Sequence, residues 1–160
     1  AMKPKQVLGA IVVSAQQFGC THVFVDNLMK VVSGEDDLNA QKDFVEKICE
    51  LAVVLGIHIH LVHHVRKGQT EDDELSKFSF RGASAIIDQP DNAIILQRNK
   101  KKEREFADGN FNPIRDGQEG DSILRIVKQR FTSWEGVVHL WFDPARMAFC
   151  KDASHRPALR

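Results

Sequence analysis

Cysteine is scarce in this sequence, and the few cysteines lie far apart. The 160 residues contain three of them, Cys20, Cys49 and Cys150, and no C-x-x-C pair. Such spacing makes a poor disulfide framework and a poor zinc site, and it is typical of a protein of the reducing cytosol. We therefore expect a cytoplasmic protein.

Long apolar runs and an excess of charge are also missing. No run approaches the roughly 20 apolar residues that a membrane span requires, and no signal peptide is recognisable. We therefore expect no membrane partner. Basic and acidic residues number 22 each, so any binding of nucleic acid has to come from local patches rather than from the overall charge.

The first half of the chain alternates predicted helices and strands. Apolar residues at helical spacing predict a helix over 4–18, begun by Pro4 and ended by Gly19, and a second over 38–55. Asp36 or Asp37 can cap the second helix, and Gly56 can end it. Apolar runs predict buried strands over 21–26 and 57–63. This alternation indicates a parallel sheet.

The second half is rich in strands. We predict strands over 92–99, 122–131, 136–142 and 147–150, with a turn at Asp143 and Pro144 before the last one. Residues 81–91 predict a short helix that stops before Pro90. The polar segments 66–80 and 99–121 are predicted to be long loops, which in a compact domain are usually functional or disordered.

Charged and polar residues follow the predicted strands. Ligands of open α/β sheets sit at the carboxyl ends of the strands, and these ends carry one acid, imidazoles and several cations. The set suits a metal-bound polyphosphate; its members are Asp26, His63, His64, Gln97, Arg98, Lys128 and Arg130. Each also has a simpler interpretation: Asp26 as a turn cap, His64 as a core histidine, and the alternating pair Lys128 and Arg130 as a solvated edge strand.

The order of these features resembles the RecA-like motor core of DnaB-like hexameric replicative helicases, above all phage primase-helicases and the related mitochondrial helicase. "THVFVDNLMKV" resembles the Walker B strand, and "LAVVLGIHIHLVHHVRKG" the following helix and sensor strand. "FRGASAIIDQPDNAIILQRN" is similar to the R-G-S-G-A segment, and "LRIVKQRFTSWEGVVHLWFD" to the K-x-R-F-T-G-x-x-G motif with its hairpin. The resemblance implies an α/β fold: a partial RecA-like core over 1–150, with a mostly parallel sheet flanked by helices, a C-terminal β-hairpin and a tail over 151–160.

The resemblance also implies roles for single residues. Asp26 would hold the Mg²⁺ of ATP or another NTP, and His64 would sense the γ-phosphate. Arg130 would reach the nucleotide of a neighbouring subunit, assisted by Lys128. The implied partners are single-stranded DNA and further copies of the chain in a hexameric ring. Arg66 and Lys67 are expected near DNA. Arg81 is expected near DNA or near the subunit interface.

The basic run "RNKKKER" permits two interpretations. It could be a solvated flank of the loop, or its residues Lys100, Lys101 and Lys102 could contact the phosphate backbone of DNA inside a ring. We slightly favour contact with DNA or with a neighbouring subunit.

Several features depart from the family pattern. Asp88, Ser84, Ser133 and Trp134 replace or adjoin residues typical of the motifs, and no counterpart of the family's catalytic glutamate precedes Asp26. The sequence contains no G-x-x-x-x-G-K-[ST] phosphate loop. We therefore expect a C-terminal portion of a motor that binds nucleotide weakly and does not hydrolyse ATP alone at a useful rate. Its unpaired strand edges would favour self-association.

Two other functions remain open. The chain could be a non-catalytic RecA-like module for DNA binding or assembly. It could also be a hydrolase or nuclease built on the histidines and Asp26, although no second acidic cluster supports two-metal chemistry.

The stretch "IHIHLVHHVRKG" raises the question of a metal site. His58, His60 and His64 alternate onto one side of the predicted strand, with His63 on the other, so a metal could use the neighbours His58 and His60. No Asp, Glu or Cys is placed by the sequence to complete a site. We expect helices to cover this strand, and His58 and His60 to be buried or half-buried with local partners.

Overall fold

The computed structural model describes residues 2–32, 37–64, 75, 86–110, 112 and 118–152. Their contacts divide the chain into two compact units, residues 1–66 with 78–90 and residues 67–77 with 91–160. None of the helices in these ranges is long and apolar enough to cross a membrane. The elements in chain order are α1 Pro4–Phe18, β1 His22–Val25, α2 Leu28–Val31, α3 Leu38–Leu55, β2 His58–Leu61, β3 Asn92–Arg98, α4 Lys100–Ala107, β4 Ser122–Gln129, β5 Gly136–Asp143 and β6 Ala148–Cys150.

The two long helices of the first unit begin and end where the sequence predicts. Pro4 occupies the first turn of α1, and Gly19 follows α1 in the left-handed conformation, with φ 65°. The side chain of Asp37 caps α3 by accepting a hydrogen bond from the backbone N–H of Ala40, and Gly56 ends α3 with φ 63°. Both ends follow from ordinary helix chemistry, because a carboxylate satisfies an orphan N–H and glycine adopts positive φ without strain.

A parallel pair of strands forms the sheet of the first unit. β1 and β2 lie side by side in register, with His22 opposite His58 and Val25 opposite Leu61. One face of this pair packs on the helices, and the hydrophobic core of the first unit lies between them. The buried residues of this core are Ile11 of α1, Phe44, Val45 and Ile48 of α3, and Val25, Leu28, Val32 and Ile86.

The second unit is an antiparallel sheet of four strands in the order β3-β4-β5-β6. The α/β class is confirmed, and among the described strands parallel pairing is confined to β1 and β2. The short connections over 130–135 and 144–147 explain the antiparallel pairs β4–β5 and β5–β6, because a parallel pair needs a crossover of about a dozen residues or more. These same strands supply the predicted C-terminal hairpin.

The prediction of one loop over 99–121 is wrong for its first part, which is helix α4. The side chain of Asn99 caps α4 by accepting from the N–H of Lys102, and Glu103 pairs with Arg98 at 2.8 Å and with Lys100 at 3.5 Å. The segment has no apolar stripe, so hydrophobic periodicity could not reveal it. Lysine, arginine and glutamate are nevertheless good helix formers. The predicted loop over 66–80 lies outside the described residues except for Leu75.

The predicted turn at Asp143 and Pro144 joins β5 to β6. The carboxylate of Asp143 accepts hydrogen bonds from the backbone N–H of Ala145 at 3.0 Å and from the Arg146 guanidinium at 2.8 Å. The bond from Arg146 is the main cause that lowers the pKa of Asp143 below its usual value. A carboxyl group whose pKa is lowered in the fold stabilises the fold above its unfolded pKa, and this contribution is lost as the pH falls through the folded pKa.

Replacing Arg146 by alanine is therefore expected to lower the urea midpoint at neutral pH. The difference from the unmodified chain should shrink as the pH falls below about 4, the ordinary pKa of an aspartate. Urea unfolding at several pH values, followed by tryptophan fluorescence, measures this difference. A difference that stayed constant down to pH 2.5 would show that Arg146 acts by packing rather than through the Asp143 charge.

Candidate functional site

The ends of β1 and β2 bring Asp26 and His64 to one edge of the first unit. Backbone hydrogen bonds continue past the strands: the N–H of Val62 donates to the carbonyl of Val25, and the N–H of Leu28 donates to the carbonyl of Val62. These bonds hold the segments that carry Asp26 and His64 next to each other. Both side chains are exposed.

Asn27 connects the two segments through its side chain. Its Oδ1 accepts from the backbone N–H of Lys30 at 3.2 Å and caps α2, while its Nδ2 lies 3.0 Å from Nε2 of His64. Because the cap fixes which amide atom is the oxygen, Nδ2 is the atom that donates to His64. Nε2 of His64 then accepts, and the imidazole carries its proton on Nδ1.

This contact was not predicted from the sequence. An asparagine directly before a helix is a recognisable capping signal, so the role of Asn27 at the start of α2 could have been found. Its second contact depends on β1 and β2 being neighbours. Asn27 is buried, with 6% of its surface exposed, whereas the neighbouring candidates Asp26 and His64 are exposed.

A cavity of about 310 Å³ adjoins Asp26 on the side of α1. Its lining is mainly apolar and includes Val7, Ile11 and Val31, and its charged members are Asp26 and Lys30. An apolar lining does not suit a polyphosphate, which needs several cations and N–H donors. We therefore assign the candidate site to the exposed edge with Asp26 and His64 rather than to this cavity.

Lys128 and Arg130 belong to the second unit, at the end of β4. The strand ends at Gln129, so Arg130 is the first residue of the following turn. Nη1 of Arg130 lies 2.9 Å from Oδ1 of Asp91, and the two side chains are 53% and 44% exposed. A pair this exposed is worth only about 0–1 kcal/mol. Lys128 is half-buried opposite Ala93 of β3.

The residue after Thr132 in the K-x-R-F-T motif adopts an unusual backbone conformation. Ser133 has φ 55°, in the left-handed region. Glycine adopts this region without strain, whereas other residues do so at a cost. Ser133 therefore holds a backbone conformation that glycine would adopt more easily.

The three lysines predicted to contact DNA differ in their surroundings on α4. Nζ of Lys102 lies 2.9 Å from a carboxylate oxygen of Asp121 and 2.6 Å from the backbone oxygen of Glu119, and its side chain is only 13% exposed. Lys100 pairs with Glu103, whereas Lys101 is exposed. The other residues predicted near DNA lie outside the described residues; they are Arg66, Lys67 and Arg81.

The histidines of β2 lie on a face that the helices leave open. His58 is exposed, which contradicts the expectation that it is buried or half-buried, whereas His60 is half-buried and has local partners. The reason is that α1 and α3 both pack on the opposite face, against Val23, Ile59 and Leu61. Within the described ranges no group of three or more His, Cys, Asp or Glu side chains is arranged to hold a metal ion.

Comparison with known proteins gives no match in sequence and clear matches in structure. No family model and no curated protein matches the chain. The structure is similar to a DnaB-like replicative helicase, solved with attention to its interactions with primase, at a TM-score of 0.65 and 14% identity over 89% of this chain. It is equally similar to a solved ATPase domain, with a TM-score of 0.65 and 14% identity over 92% of this chain.

These matches show that the chain shares its fold with part of each of those two solved chains. The chain spans 34% of the DnaB-like helicase and 51% of the ATPase domain, so it corresponds to a third to a half of those chains. The predicted fold class is confirmed.

Proposed function

We propose that this chain is the C-terminal portion of the motor of an ATP-dependent replicative DNA helicase. The observation that carries the proposal is the edge of the first unit, where parallel strands β1 and β2 deliver Asp26 and His64 and Asn27 connects them at 3.0 Å. An acid and a polar sensor on neighbouring strands are what a motor needs to hold Mg²⁺ and to detect the γ-phosphate. The resemblance to phage and mitochondrial helicases belongs to the same proposal.

Asp26 has the chemistry for the metal role. Mg²⁺ is usually bound by one or two carboxylates together with substrate phosphates and water, so one exposed carboxylate is a sufficient protein ligand. The bound ion would neutralise charge on the β- and γ-phosphates of ATP. His64, with its Nε2 held by Asn27, presents the Nδ1–H as a donor.

Asn27 is proposed to transmit the state of the nucleotide. It touches His64 with one side-chain atom and caps α2 with the other. A movement of the His64 ring when the γ-phosphate is lost would therefore strain or release the cap of α2. The segment after His64, with Arg66 and Lys67, is the proposed DNA loop, and Lys101 is the exposed lysine of α4 proposed to contact single-stranded DNA.

Replacing Asp26 by asparagine is expected to abolish Mg²⁺-dependent ATP turnover by the helicase that contains this chain, since the ion loses its charged ligand. ATP hydrolysis is measured with and without single-stranded DNA. Asp37→Asn is the matched control, because asparagine caps a helix about as well as aspartate does. If Asp26→Asn retained turnover as Asp37→Asn does, Asp26 would not be the magnesium ligand, and a non-catalytic assembly role would replace the catalytic one proposed for this edge.

The 160-residue chain by itself is proposed to hydrolyse ATP negligibly, because it contains no phosphate-loop motif. It is also proposed to self-associate through unpaired strand edges. Light scattering over a range of protein concentrations is expected to show a mass that rises above 18.1 kDa. A monomer at every concentration would contradict this part of the proposal.

A further inference from the structure

The open face of the β1–β2 pair carries a cluster of rings that the motor function does not use. His22 and Phe24 project from β1, and His58 and His60 from β2. Nδ1 of His22 lies 3.2 Å from Nε2 of His60. In the register of the pair, His22 is opposite His58 and Phe24 is opposite His60, so the contact between His22 and His60 runs diagonally across the two strands.

The separation of these two nitrogens matches the spacing in a metal chelate. Two imidazoles bound to one ion at 2.0–2.1 Å with a tetrahedral angle place their nitrogens about 3.3 Å apart. In the present contact one ring donates toward the nitrogen of the other along the line that joins them. An ion could not lie on that line, because its midpoint is only about 1.6 Å from each nitrogen, so both rings would turn slightly until their lone pairs converge on an ion beside the line. Both side chains reach solvent, so an ion can enter without opening the fold.

The neighbours of His60 hold its ring in place. The His60 ring packs on Phe24 with a centroid distance of 4.2 Å and on His58 with 4.3 Å. Ring stacking also restricts the His60 rotamer, so less conformational freedom is lost when the ring becomes a ligand.

We propose that His22 and His60 form a two-histidine binding site for a divalent transition-metal ion of the Zn²⁺, Ni²⁺ and Cu²⁺ class, with water completing the coordination shell. His58 is treated as a neighbour and not as a ligand, because the close nitrogen–nitrogen contact of this cluster joins His22 and His60, whereas the contacts of His58 with these two residues are ring contacts. The ion would bridge the strands that lead to Asp26 and His64. Carboxylate-preferring ions such as Mg²⁺ are excluded by the nitrogen ligands.

The test is calorimetric titration of the untagged chain with Zn²⁺, Ni²⁺ and Cu²⁺ at pH 8, where protons compete less for the imidazoles. We expect one ion per chain, with Cu²⁺ bound more tightly than Ni²⁺ or Zn²⁺. His22→Gln and His60→Gln are each expected to weaken binding by about tenfold or more, and the double variant no further, because a single imidazole gives no chelate. A saturating ion should also raise the melting temperature of the unmodified chain.

His58→Gln is the matched control, since it removes an exposed imidazole from the same strand and should retain the affinity. Nitrogen-15 NMR of the Zn²⁺ complex should show coordination through Nδ1 of His22 and Nε2 of His60. The proposal is overturned if His58→Gln weakens binding as much as His60→Gln, if both ligand variants keep the affinity, or if the spectra place the ion on other nitrogens. None of these readouts depends on ATP hydrolysis, so failure here leaves the motor assignment untouched.

Discussion

Under the proposed motor function, replacing Arg130 by alanine is expected to lower ATP turnover by about 10³- to 10⁵-fold, the loss typical of an arginine finger. Arg130 stands at the end of β4 with half of its side chain exposed, and a guanidinium in that position can reach a molecule outside its own chain. Steady-state ATP hydrolysis at saturating single-stranded DNA measures the effect. Folding should be unaffected, because the exposed ion pair that is lost contributes little stability.

The partner of Arg130 within its own chain provides a sharper version of this test. Asp91 lies 2.9 Å from the guanidinium, so in the proposed role Arg130 would exchange Asp91 for the phosphate. Asp91→Asn removes the charge that competes with the phosphate and is expected to keep or increase turnover. Glu103→Gln is the matched control, since Glu103 is also a carboxylate of the second unit paired with an arginine, Arg98 at 2.8 Å, and this variant should be nearly silent.

If the subunits form a ring as proposed, rings that mix two variants distinguish an arginine that acts on the neighbouring subunit from one that acts on its own subunit. Subunits with Arg130→Ala keep Asp26, and subunits with Asp26→Asn keep Arg130, so a mixture contains some interfaces with both residues intact. We expect the mixture to recover part of the turnover that each variant lacks alone. A mixture as inactive as its components would contradict action in trans.

Much of the first unit could be predicted from the sequence because its signals are local. Helices α1 and α3 have apolar stripes, and Pro4, Asp37, Gly19 and Gly56 mark their ends through backbone chemistry that does not depend on the rest of the fold. The apolar runs before Asp26 and His64 predicted neighbouring strands, and the alternation with helices predicted their parallel pairing. β1 and β2 confirm both.

The missed features depend on charge or on long-range contacts. Helix α4 has no buried residue and is held by its Asn99 cap and by ion pairs of Glu103, none of which produces a hydrophobic period. The Asn27–His64 contact joins residues 37 positions apart, so it exists only once the two strands are in register. The sequence could propose the candidate residues Asp26 and His64, whereas their connection through Asn27 required the structure.

The exposed histidines show a similar limit. Alternation along β2 predicted correctly that His58 and His60 share a side of the strand. It could not predict which side the helices cover. The covered side is set by α1 and α3, which both pack against Val23, Ile59 and Leu61. The position of His22 opposite His58 is set by the pairing of β1 with β2.

The core of the first unit provides the largest expected effect on stability. Phe44 of α3 is 2% exposed and packs in the cluster with Ile11 and Val25, so it joins both long helices to β1. Replacing Phe44 by alanine is expected to cost about 3–5 kcal/mol, through lost apolar burial and the cavity left behind. A loss of that size is a large fraction of the roughly 5–15 kcal/mol that stabilises an ordinary domain.

Val53 on the same helix supplies the control for Phe44. Val53 is 81% exposed, so Val53→Ala should change the free energy of unfolding by no more than about 0.5 kcal/mol. Urea unfolding followed by circular dichroism at 222 nm reports mainly on α1 and α3, the two longest of the described helices. If Phe44→Ala cost no more than Val53→Ala, α3 would not be packed against β1 as described. The edge that presents Asp26 and His64 would then lack its support, because β1 and β2 owe their position to that core.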